Sequence, residues 1–265
     1  MAEPLLRSDA LTRRFGGLTA VNAVSLALQR GEVHAVIGTN GAGKSTLINM
    51  LSGEMPASSG SIHFDGHDIT GWSQPKRARA GIGRSYQRTT IFPEFSVLEN
   101  CRLCAQAATP RDWALWEAAN GCATSRAAAH AALAQAGLAD DAARGAGTLS
   151  HGGKRQLEIA MCLATQPRVL LLDEPLAGMG AEETERMLAL LEALKQTHAV
   201  LLVEHDMDAV FRIADRITVM VNGAVIATGA PEDIRRNAEV QAAYLGEAEA
   251  APATAAEAPA ASRSR

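Results

Sequence analysis

The feature that most constrains this chain is a stretch in which glycines, a lysine and a serine stand at fixed spacing: Gly38-Thr39-Asn40-Gly41-Ala42-Gly43-Lys44-Ser45. It satisfies the pattern G-x-x-x-x-G-K-[ST] at every position. The glycines allow the backbone to curl so that successive N–H groups face one point, which suits phosphate oxygens. Lys44 offers a full charge to the β- and γ-phosphates, and Ser45 offers a hydroxyl to Mg²⁺. This motif, called the phosphate loop below, predicts binding of a nucleoside triphosphate.

The segments on either side of the phosphate loop agree with this prediction. The apolar run at residues 33–37 has the length of a buried strand, and residues 46–51 have a helical pattern. A helix that begins near Lys44 directs the positive end of its dipole toward the same phosphates. We therefore take every residue of the phosphate loop, together with Thr46, as a candidate for nucleotide binding.

Apolar runs rich in β-branched residues alternate with helical patterns, which predicts an α/β fold with a largely parallel sheet. Strands are expected at residues 20–28, 33–37, 61–64, 169–172, 199–203, 217–221 and 224–228. Helices are expected after Gly43 and at residues 96–107, 181–196 and 206–214. Asn222-Gly223 separates the last two strands and predicts a hairpin turn, because both residues tolerate positive φ.

Two segments depart from this alternation. Residues 96–147 contain no convincing strand, and alanine-rich stretches such as residues 126–136 predict a helical insertion within the α/β core. Residues 247–265 consist mostly of Ala, Pro and Glu and cannot bury enough apolar area to offset their ordering entropy. We expect a disordered tail there.

Composition argues against several classes of protein. The chain has 265 residues and a net charge of -4, which is unlike a general nucleic-acid binder. No run approaches the roughly 20 apolar residues of a membrane-spanning helix. The first residues carry Glu3, Arg7 and Asp9 and lack the apolar core of a secretory signal. We therefore expect the protein in the cytoplasm, with any membrane contact made through other chains.

Four cysteines are present, and two of them, Cys101 and Cys104, form a C-x-x-C pair. Such a pair suggests metal or redox chemistry. The segment has a helical pattern, however, and no second Cys/His pair stands at zinc-finger spacing. We interpret both residues as ordinary reduced thiols, which is consistent with a reducing cytosol.

A second candidate site is the pair of acids, Asp173 and Glu174, that follows the apolar run at residues 169–172. Buried carboxylates are costly unless a positive group meets them. Beside a phosphate loop, Asp173 is expected to hold Mg²⁺ through a water, and Glu174 to polarise the water that attacks the nucleotide. The alternative is that the two acids only cap the helix that follows.

Further features, taken in order with the phosphate loop, resemble those of ABC-type ATPases over about residues 5–246. The most specific is Leu149-Ser150-His151-Gly152-Gly153-Lys154-Arg155, which resembles the family signature L-S-G-G-Q and is called the signature below. Gln87, within Ser85-Tyr86-Gln87, matches the family's Q-loop. His205 matches the switch histidine, and Phe15 stands where the family stacks an aromatic ring on adenine.

This resemblance implies a fold, a reaction and its cofactors. The fold is α/β: a P-loop NTPase core of the ABC type, with an N-terminal antiparallel β-sheet region and an α-helical subdomain inserted at about residues 88–157. Residues 1–246 would form this domain. The reaction is hydrolysis of ATP with Mg²⁺. Gln87 would sense the metal that Ser45 and Asp173 hold, and His205 would lie near the γ-phosphate.

The resemblance also implies a head-to-tail pair of ATPase subunits, identical or different, with two ATP molecules between them. Each ATP would lie on the phosphate loop of one subunit and under Ser150 and Gly152 of the other. ATP then supplies the attraction that offsets the association entropy, and hydrolysis removes it. Two departures fall at this interface. The signature's final glutamine is Gly153 here, and an aspartate common in the loop after the acids is Gly180.

Other stretches resemble the ATPases of branched-chain amino acid uptake systems, and His151 with Met179 resembles the branch that imports urea. The stretches are Arg14-Phe15-Gly16-Gly17-Leu18, Gly81-Ile82-Gly83-Arg84-Ser85-Tyr86-Gln87, Glu204-His205-Asp206-Met207 and Ala243-Tyr244-Leu245-Gly246. Such subunits work at the cytoplasmic face of the inner membrane with transmembrane permease subunits and, indirectly, a substrate-binding protein. No nucleic-acid partner is expected. A lipopolysaccharide-export ATPase, a soluble ABC protein and a nucleotide sensor are the alternatives.

Overall fold

The computed structural model describes residues 3–86, 90–108 and 123–243, in which strands and helices alternate. The strands are β1 (Leu6–Phe15), β2 (Leu18–Leu28), β3 (Val33–Gly38), β4 (Ser59–Phe64), β5 (His67–Asp68), β6 (Ile82–Arg84), β7 (Val169–Asp173), β8 (Ala199–Val203), β9 (Arg216–Val221) and β10 (Ala224–Gly229). The α-helices are α1 (Lys44–Ser52), α2 (Gln74–Ala80), α3 (Val97–Ala108), α4 (Ala123–Gln135), α5 (His151–Leu163), α6 (Ala181–Lys195), α7 (Met207–Ile213) and α8 (Pro231–Arg236). A short 3₁₀ helix, Ala146–Thr148, precedes α5.

These strands form two sheets. An antiparallel sheet has the order β2-β1-β4-β5, and a larger sheet has the order β10-β9-β3-β8-β7-β6. In the larger sheet the strands from β9 to β6 are parallel, and β10 joins β9 as an antiparallel hairpin. Every residue of β3, β7 and β8 is buried, as expected for parallel strands covered on both faces. The α/β fold and the separate N-terminal antiparallel sheet are thus confirmed.

The register of the parallel strands places three chain segments at one edge of the larger sheet. β8 lies between β3 and β7, with Val203 opposite both Val36 and Asp173. The phosphate loop follows β3, Glu174 follows β7, and His205 follows β8. All three segments leave the carboxyl ends of neighbouring strands, which is where open α/β sheets bind ligands. The fold therefore gathers candidate residues that are far apart in sequence.

In the described ranges, the helices α3, α4 and α5 lie between β6 and β7 along the chain and pack against one another. Their contacts include small side chains, since Cys101, Ala105, Ala129 and Ala132 are buried. The same apolar cluster continues into Leu172 of β7, so these helices and the parallel sheet share one core. The helical insertion expected from the alanine-rich sequence is confirmed in the described ranges.

The turn between β9 and β10 has the conformation that its sequence predicts. Asn222 has φ +47° and Gly223 has φ +81°, so both lie in the left-handed region that such hairpin turns require. The Gly223 N–H donates to the Ala42 carbonyl (3.1 Å), and the Gly223 carbonyl accepts from the Asn22 N–H (2.8 Å). The hairpin turn therefore supports the phosphate loop from one side.

All of the strands expected from the sequence are present, each with ends within two residues of the expected positions. The expected helices agree equally well. Strands β1, β5 and β6 and helices α2, α5 and α8 have no counterpart among the expected elements. The expected tail at residues 247–265 lies outside the described residues, as does Gln87. No helix within the described ranges combines the length and apolarity needed to cross a membrane.

The cysteines of the described ranges, Cys101, Cys104 and Cys162, are free thiols. Burial raises the pKa of the Cys104 thiol to about 11 and raises the pKa of Cys101 as well. In the part of the chain that the structure describes, no group of three or more His, Cys, Asp or Glu is arranged to hold a metal ion. Protonated, buried thiols agree with the interpretation of this C-x-x-C pair as ordinary reduced cysteines.

Candidate nucleotide site

The phosphate loop turns tightly between β3 and α1. Gly43 has φ +96°, and a Cβ at this position would lie 2.2 Å from the Ala20 carbonyl oxygen, so only glycine fits. The Gly43 carbonyl accepts from the Leu47 N–H at 2.8 Å and so begins the helical hydrogen-bond pattern. Since α1 begins at Lys44, the positive end of its dipole is directed at the loop.

Lys44 folds back over the start of the phosphate loop. Its ammonium group donates to the carbonyl oxygens of Gly38 (2.6 Å) and Thr39 (3.0 Å), and the side chain is mostly buried. Ser45 is exposed and Thr46 is half-buried in the first turn of α1. The loop thus combines a helix N-terminus with one full positive charge, an arrangement that suits a polyphosphate.

Asp173, the last residue of β7, is a buried carboxylate. Its Oδ1 atom has no hydrogen-bond partner in the described part of the chain, and Oδ2 lies 3.9 Å from the Arg84 guanidinium. Burial raises the pKa of Asp173, and the charges of Arg84 and Lys44 oppose that rise. A buried oxygen without a partner is costly. Mg²⁺ prefers such carboxylate and hydroxyl oxygens, so Asp173 and the exposed Ser45 fit this ion chemically.

Glu174 and His205 approach each other from neighbouring strands. Glu174 has φ +50°, which is uncommon for a residue other than glycine and typical of active sites. This conformation allows its N–H to donate to the Val203 carbonyl at 2.9 Å. The Glu174 Oε1 atom lies 4.0 Å from Nδ1 of His205, whose side chain is 60% exposed. The structure thus brings together two residues that the sequence placed in one site.

The helix after these acids begins only at Ala181, with Gly180 at its N-cap position. Neither Asp173 nor Glu174 is therefore positioned to cap it. The alternative interpretation of the two acids as helix caps is wrong, because a turn of several residues separates them from the helix.

Glu204 is a member of this site that the sequence did not single out. Its side chain is completely buried after β8. Oε1 accepts from the Leu176 N–H at 2.8 Å, and Oε2 accepts from the His205 N–H at 3.1 Å. Burial raises the pKa of Glu204, and these backbone hydrogen bonds oppose the rise. The only sequence signal is a charged residue directly after a wholly apolar strand. Glu204 joins the loop after β7 to the loop after β8.

The signature forms the N-terminus of α5. Ser150 is the N-cap residue: its Oγ accepts from the Gly153 N–H at 3.1 Å and donates to Oε1 of Glu183 at 2.8 Å. The Gly152 N–H donates to the same Glu183 oxygen at 3.2 Å. Within residues 3–86, 90–108 and 123–243, neither Ser150 nor Gly152 forms a hydrogen bond to the phosphate loop. A single chain therefore does not join these two sets of candidate residues.

His151 and the two departures from the family pattern, Gly153 and Gly180, have different surroundings. His151 donates from Nε2 to the Ala177 carbonyl at 3.1 Å, which ties the signature to the loop before α6. A Cβ at Gly153 would lie 3.3 Å from Leu149 Cβ, a tight contact. A Cβ at Gly180 would meet nothing within 4 Å, so that position accepts a side chain.

Phe15 lies at the end of β1 and is 42% exposed. The Arg13 guanidinium lies 4.6 Å from the centre of its ring, a cation–π contact. An exposed, oriented ring of this kind is compatible with stacking on a base. Gln87, the remaining candidate, lies outside the described residues, but Tyr86 and Thr90 on either side of it are described.

A cavity of about 270 Å³ is lined in part by Tyr86 and Thr90, the described residues that flank positions 87–89 in sequence. Residues that line it include Arg84, Tyr86, Thr90, Cys104, Glu158 and Cys162, from β6, α3 and α5 and the intervening chain. Two exposed aromatic rings, Phe92 and Phe95, follow Thr90 with ring centres 5.7 Å apart. Exposed aromatic rings are typical of protein–protein contact surfaces.

Comparisons with known proteins agree with the geometry of the site. A family model described as ABC transporter matches residues 21–177, which is more than half of the chain. A second model, described as branched-chain amino acid ATP-binding cassette transporter, matches residues 224–250. The first match contains the phosphate loop, the signature, Asp173 and Glu174, whereas His205 lies beyond its end.

Similar proteins cover nearly the whole chain. The high-affinity branched-chain amino acid transport ATP-binding protein BraF of Pseudomonas aeruginosa is 42% identical, over 94% of this chain and all of that protein. Its counterpart LivG of Escherichia coli is 41% identical with the same coverage. Among solved structures, the ADP conformation of an ATP-binding cassette of an ABC transporter has a TM-score of 0.80 and 29% identity, over 92% of this chain and 100% of that one.

Proposed function

This chain belongs to the ABC transporter family of ATP-binding subunits, and on that premise we propose that it powers the uptake of branched-chain amino acids. It is an ATP-binding, ATP-hydrolysing protein. The observation that carries the choice of substrate class is similarity over 94% of its length to two transport ATPases of that specificity. Lipopolysaccharide export and a non-transport role are not favoured by these relatives. Urea and related small solutes remain the nearest alternative, on account of His151 and Met179.

In the mechanism we propose, the phosphate loop and Thr46 bind the triphosphate, with Lys44 against the β- and γ-phosphates and Phe15 stacked on adenine. Glu174 polarises the water that attacks the γ-phosphorus, the bond to the bridging oxygen breaks, and ADP leaves. General-base assistance of this kind accelerates a reaction by roughly 10²–10⁴-fold. His205, 4.0 Å from Glu174, is near enough to orient the same water or a phosphate oxygen.

We assign Ser45, Asp173 and Gln87 as the residues that would hold Mg²⁺. The buried, unpartnered Oδ1 of Asp173 supports this assignment. When bound, the ion supplies positive charge to the phosphate oxygens. The Glu204 carboxylate joins the loops that carry Glu174 and His205, since it accepts from the backbone N–H groups of Leu176 and His205.

The working unit we propose is a head-to-tail pair of ATPase subunits in which ATP on one phosphate loop meets Ser150 and Gly152 of the other subunit. The absence of any hydrogen bond between these two sets of residues within the described chain supports a site completed by a second subunit. ATP would then hold the pair closed, and hydrolysis would release it.

We place the permease contact at the cavity lined by Tyr86 and Thr90 and at the exposed rings of Phe92 and Phe95. The cavity is lined by residues of β6 and of the helical insertion, among others, and we place this insertion at about residues 88–157 of an ATPase domain that ends near residue 246. A conformational change at Gln87 would reach a permease helix seated there directly. The substrate-binding protein would act on the permease from the other side of the membrane, and this chain would work at the cytoplasmic face.

An uptake assay tests this function. Cells that lack this chain are expected to lose high-affinity uptake of labelled leucine, isoleucine and valine. The wild-type chain should restore uptake, whereas Lys44→Ala should not, because the charge that meets the phosphates is gone. Both forms should co-purify from membranes with the same permease subunits, which controls for loss of assembly. Normal uptake of all three amino acids in the deletion strain would contradict the proposed function.

A further inference from the structure

The hydroxyl of Ser150 already has two partners in the single chain. It accepts from the Gly153 N–H and donates its one proton to Oε1 of Glu183. The Gly152 N–H points at the same carboxylate oxygen. A serine hydroxyl has a single proton to donate, so while Glu183 is bound Ser150 cannot also donate to a phosphate oxygen.

The Glu183 carboxylate fits the signature closely. A Cβ built on Gly152 would lie 2.6 Å from the carboxylate carbon of Glu183 and 2.7 Å from Oε1, so a side chain at this position would displace the carboxylate. α5 begins at His151, and the positive end of its dipole meets the negative charge. The Ser150 hydrogen bond holds the pKa of Glu183 below its usual range, and the N–H groups of Gly152 and Gly180 contribute further. The carboxylate is therefore ionised at neutral pH.

These donors are the same ones that the proposed function assigns to the γ-phosphate of an ATP carried by the other subunit. A carboxylate and a γ-phosphate are both anions that accept from an O–H and a backbone N–H. The two cannot occupy the Ser150 and Gly152 donors together, because they would repel each other and compete for one proton. One anion has to leave before the other binds.

We propose that Glu183 is an internal substitute for the γ-phosphate, which occupies the signature of an unpaired chain and has to withdraw from Ser150 when the ATP of a partner docks. This inference rests on the proposed function, because it requires the paired arrangement. Its consequence is that Glu183 sets how much ATP is needed to close the pair. Since Glu183 lies in the first turn of α6, its withdrawal also affects the loop at residues 177–180, which His151 ties to the signature.

A purely structural role for Glu183 makes a different prediction. Glu183 stands at the third position of α6 and accepts from the Gly180 N–H, as glutamate or glutamine does in a capping box. Glutamine at position 183 preserves the size and the cap but removes the charge. If capping is all that Glu183 does, Glu183→Gln leaves the ATP requirement for pairing unchanged.

The experiment compares ATP-dependent pairing in chains that hydrolyse slowly. In the Glu174→Gln background, the mass of the particle is measured by light scattering as ATP and Mg²⁺ are increased, with and without Glu183→Gln. We expect the ATP concentration for half-maximal pairing to fall roughly threefold to tenfold in Glu183→Gln, because a charged competitor for the donors is lost. Binding of a fluorescent ATP analogue to the unpaired chain should not change.

Glu182→Gln in the same background is the matched control. Glu182 precedes Glu183 on the same turn, carries the same charge and is 86% exposed, with the Arg186 guanidinium 3.6 Å from its carboxylate. It should leave the ATP concentration for pairing unchanged, so a change in Glu183→Gln alone is specific to the signature. An unchanged or higher ATP requirement in Glu183→Gln overturns the inference while the paired arrangement stands. If Glu174→Gln does not pair at any ATP concentration, the proposed arrangement fails and this inference fails with it.

Discussion

Three carboxylates at the ends of β7 and β8 have different surroundings and therefore different roles. Asp173 keeps one buried oxygen without a partner in the described chain, Glu174 is held in a left-handed conformation beside His205, and both oxygens of Glu204 accept from the backbone. The sequence predicted Asp173 and Glu174, because acids after an apolar strand beside a phosphate loop are costly without a function. It did not predict the role of Glu204, since a carboxylate satisfied by backbone N–H groups leaves no spacing pattern.

Glu204→Ala is expected to destabilise the chain. The N–H groups of Leu176 and His205 would lose their acceptor in a buried place, which lowers the free energy of unfolding by roughly 2–4 kcal/mol. Urea denaturation of the nucleotide-free protein measures this difference. Glu185→Ala, which removes an exposed carboxylate paired with Arg212, is the control and should change the free energy by less than about 0.5 kcal/mol. Equal stability of the Glu204→Ala variant and this control would refute the structural role of Glu204.

The sequence also did not predict the residues whose role depends on a hydrogen-bond partner from another part of the fold, as with Glu204. Glu183 stands in an ordinary helical pattern at the start of α6, and only the folded chain shows that it reaches Ser150. The glycines of the phosphate loop were predictable because their spacing alone carries the chemistry. Gly43 illustrates this, since its φ and its approach to Ala20 both exclude a side chain.

The elements that the sequence predicted are those in which the pattern of apolar residues is uninterrupted. β3, β7 and β8 are wholly apolar and buried, which makes them recognisable as parallel strands. β1 was missed because its pairing with β2 is interrupted by irregularities in register, which break the alternation of buried and exposed residues. β6 is too short to show a pattern. In α5 the second and third residues are glycines, which are poor helix formers, so the start of this helix depends on the Ser150 cap.

The side chain of His34, which joins the larger sheet to the antiparallel sheet, makes the free energy of unfolding depend on pH. His34 of β3 is buried, its Nδ1–H donates to the Ala27 carbonyl of β2 (3.2 Å), and Nε2 accepts from the Thr218 hydroxyl of β9 (2.8 Å). This assignment of the ring proton follows from the carbonyl, which can only accept. Burial lowers the pKa of His34 to about 4, and the Glu32 carboxylate at 3.9 Å does not reverse that direction.

Because the folded-state pKa of His34 lies below its unfolded value near 6.5, the unfolded chain binds the extra proton between these two pKa values. The stabilisation from neutral His34 is therefore complete above pH 6.5 and is lost as pH falls toward 4. We expect the stability of wild type relative to His34→Gln to decrease by about 3 kcal/mol between pH 7.5 and pH 4. Urea denaturation at each pH measures this difference. The titration of the Asp and Glu residues, which both proteins contain, affects both free energies of unfolding and cancels in the difference. A difference that stays constant with pH would show that His34 does not titrate in this way.

At the scale of the whole molecule, the order of the strands in the larger sheet determines which candidate residues lie close together. The sequence predicted both the phosphate loop and the acids but not that β8 lies between β3 and β7 or that Val203 is in register with Asp173. That arrangement follows from packing of the buried faces, which no local pattern encodes. The helical insertion was predictable from its alanine content, whereas its continuity with the core of the sheet through Leu172 was not.

The sheet gathers at one edge the groups to which we assign binding and cleavage of ATP, whereas the signature forms no hydrogen bond to the phosphate loop within the described chain, which agrees with the proposed pair of subunits. Glu183 connects the edge of the larger sheet with the signature, because it lies on α6, the helix after β7, and binds Ser150 and Gly152. In the proposed pair, binding of nucleotide and pairing of subunits would be coupled through α6.

The role of Glu174 is the claim on which this account most depends, and single-turnover hydrolysis of bound ATP measures it most directly. Glu174→Gln should bind ATP with wild-type affinity, because the phosphate loop is untouched, and should hydrolyse it roughly 10²–10⁴-fold more slowly. Glu185→Gln, on the exposed side of α6, should retain the wild-type rate. Hydrolysis by Glu174→Gln at the wild-type rate would contradict the account, because another group would then activate the water.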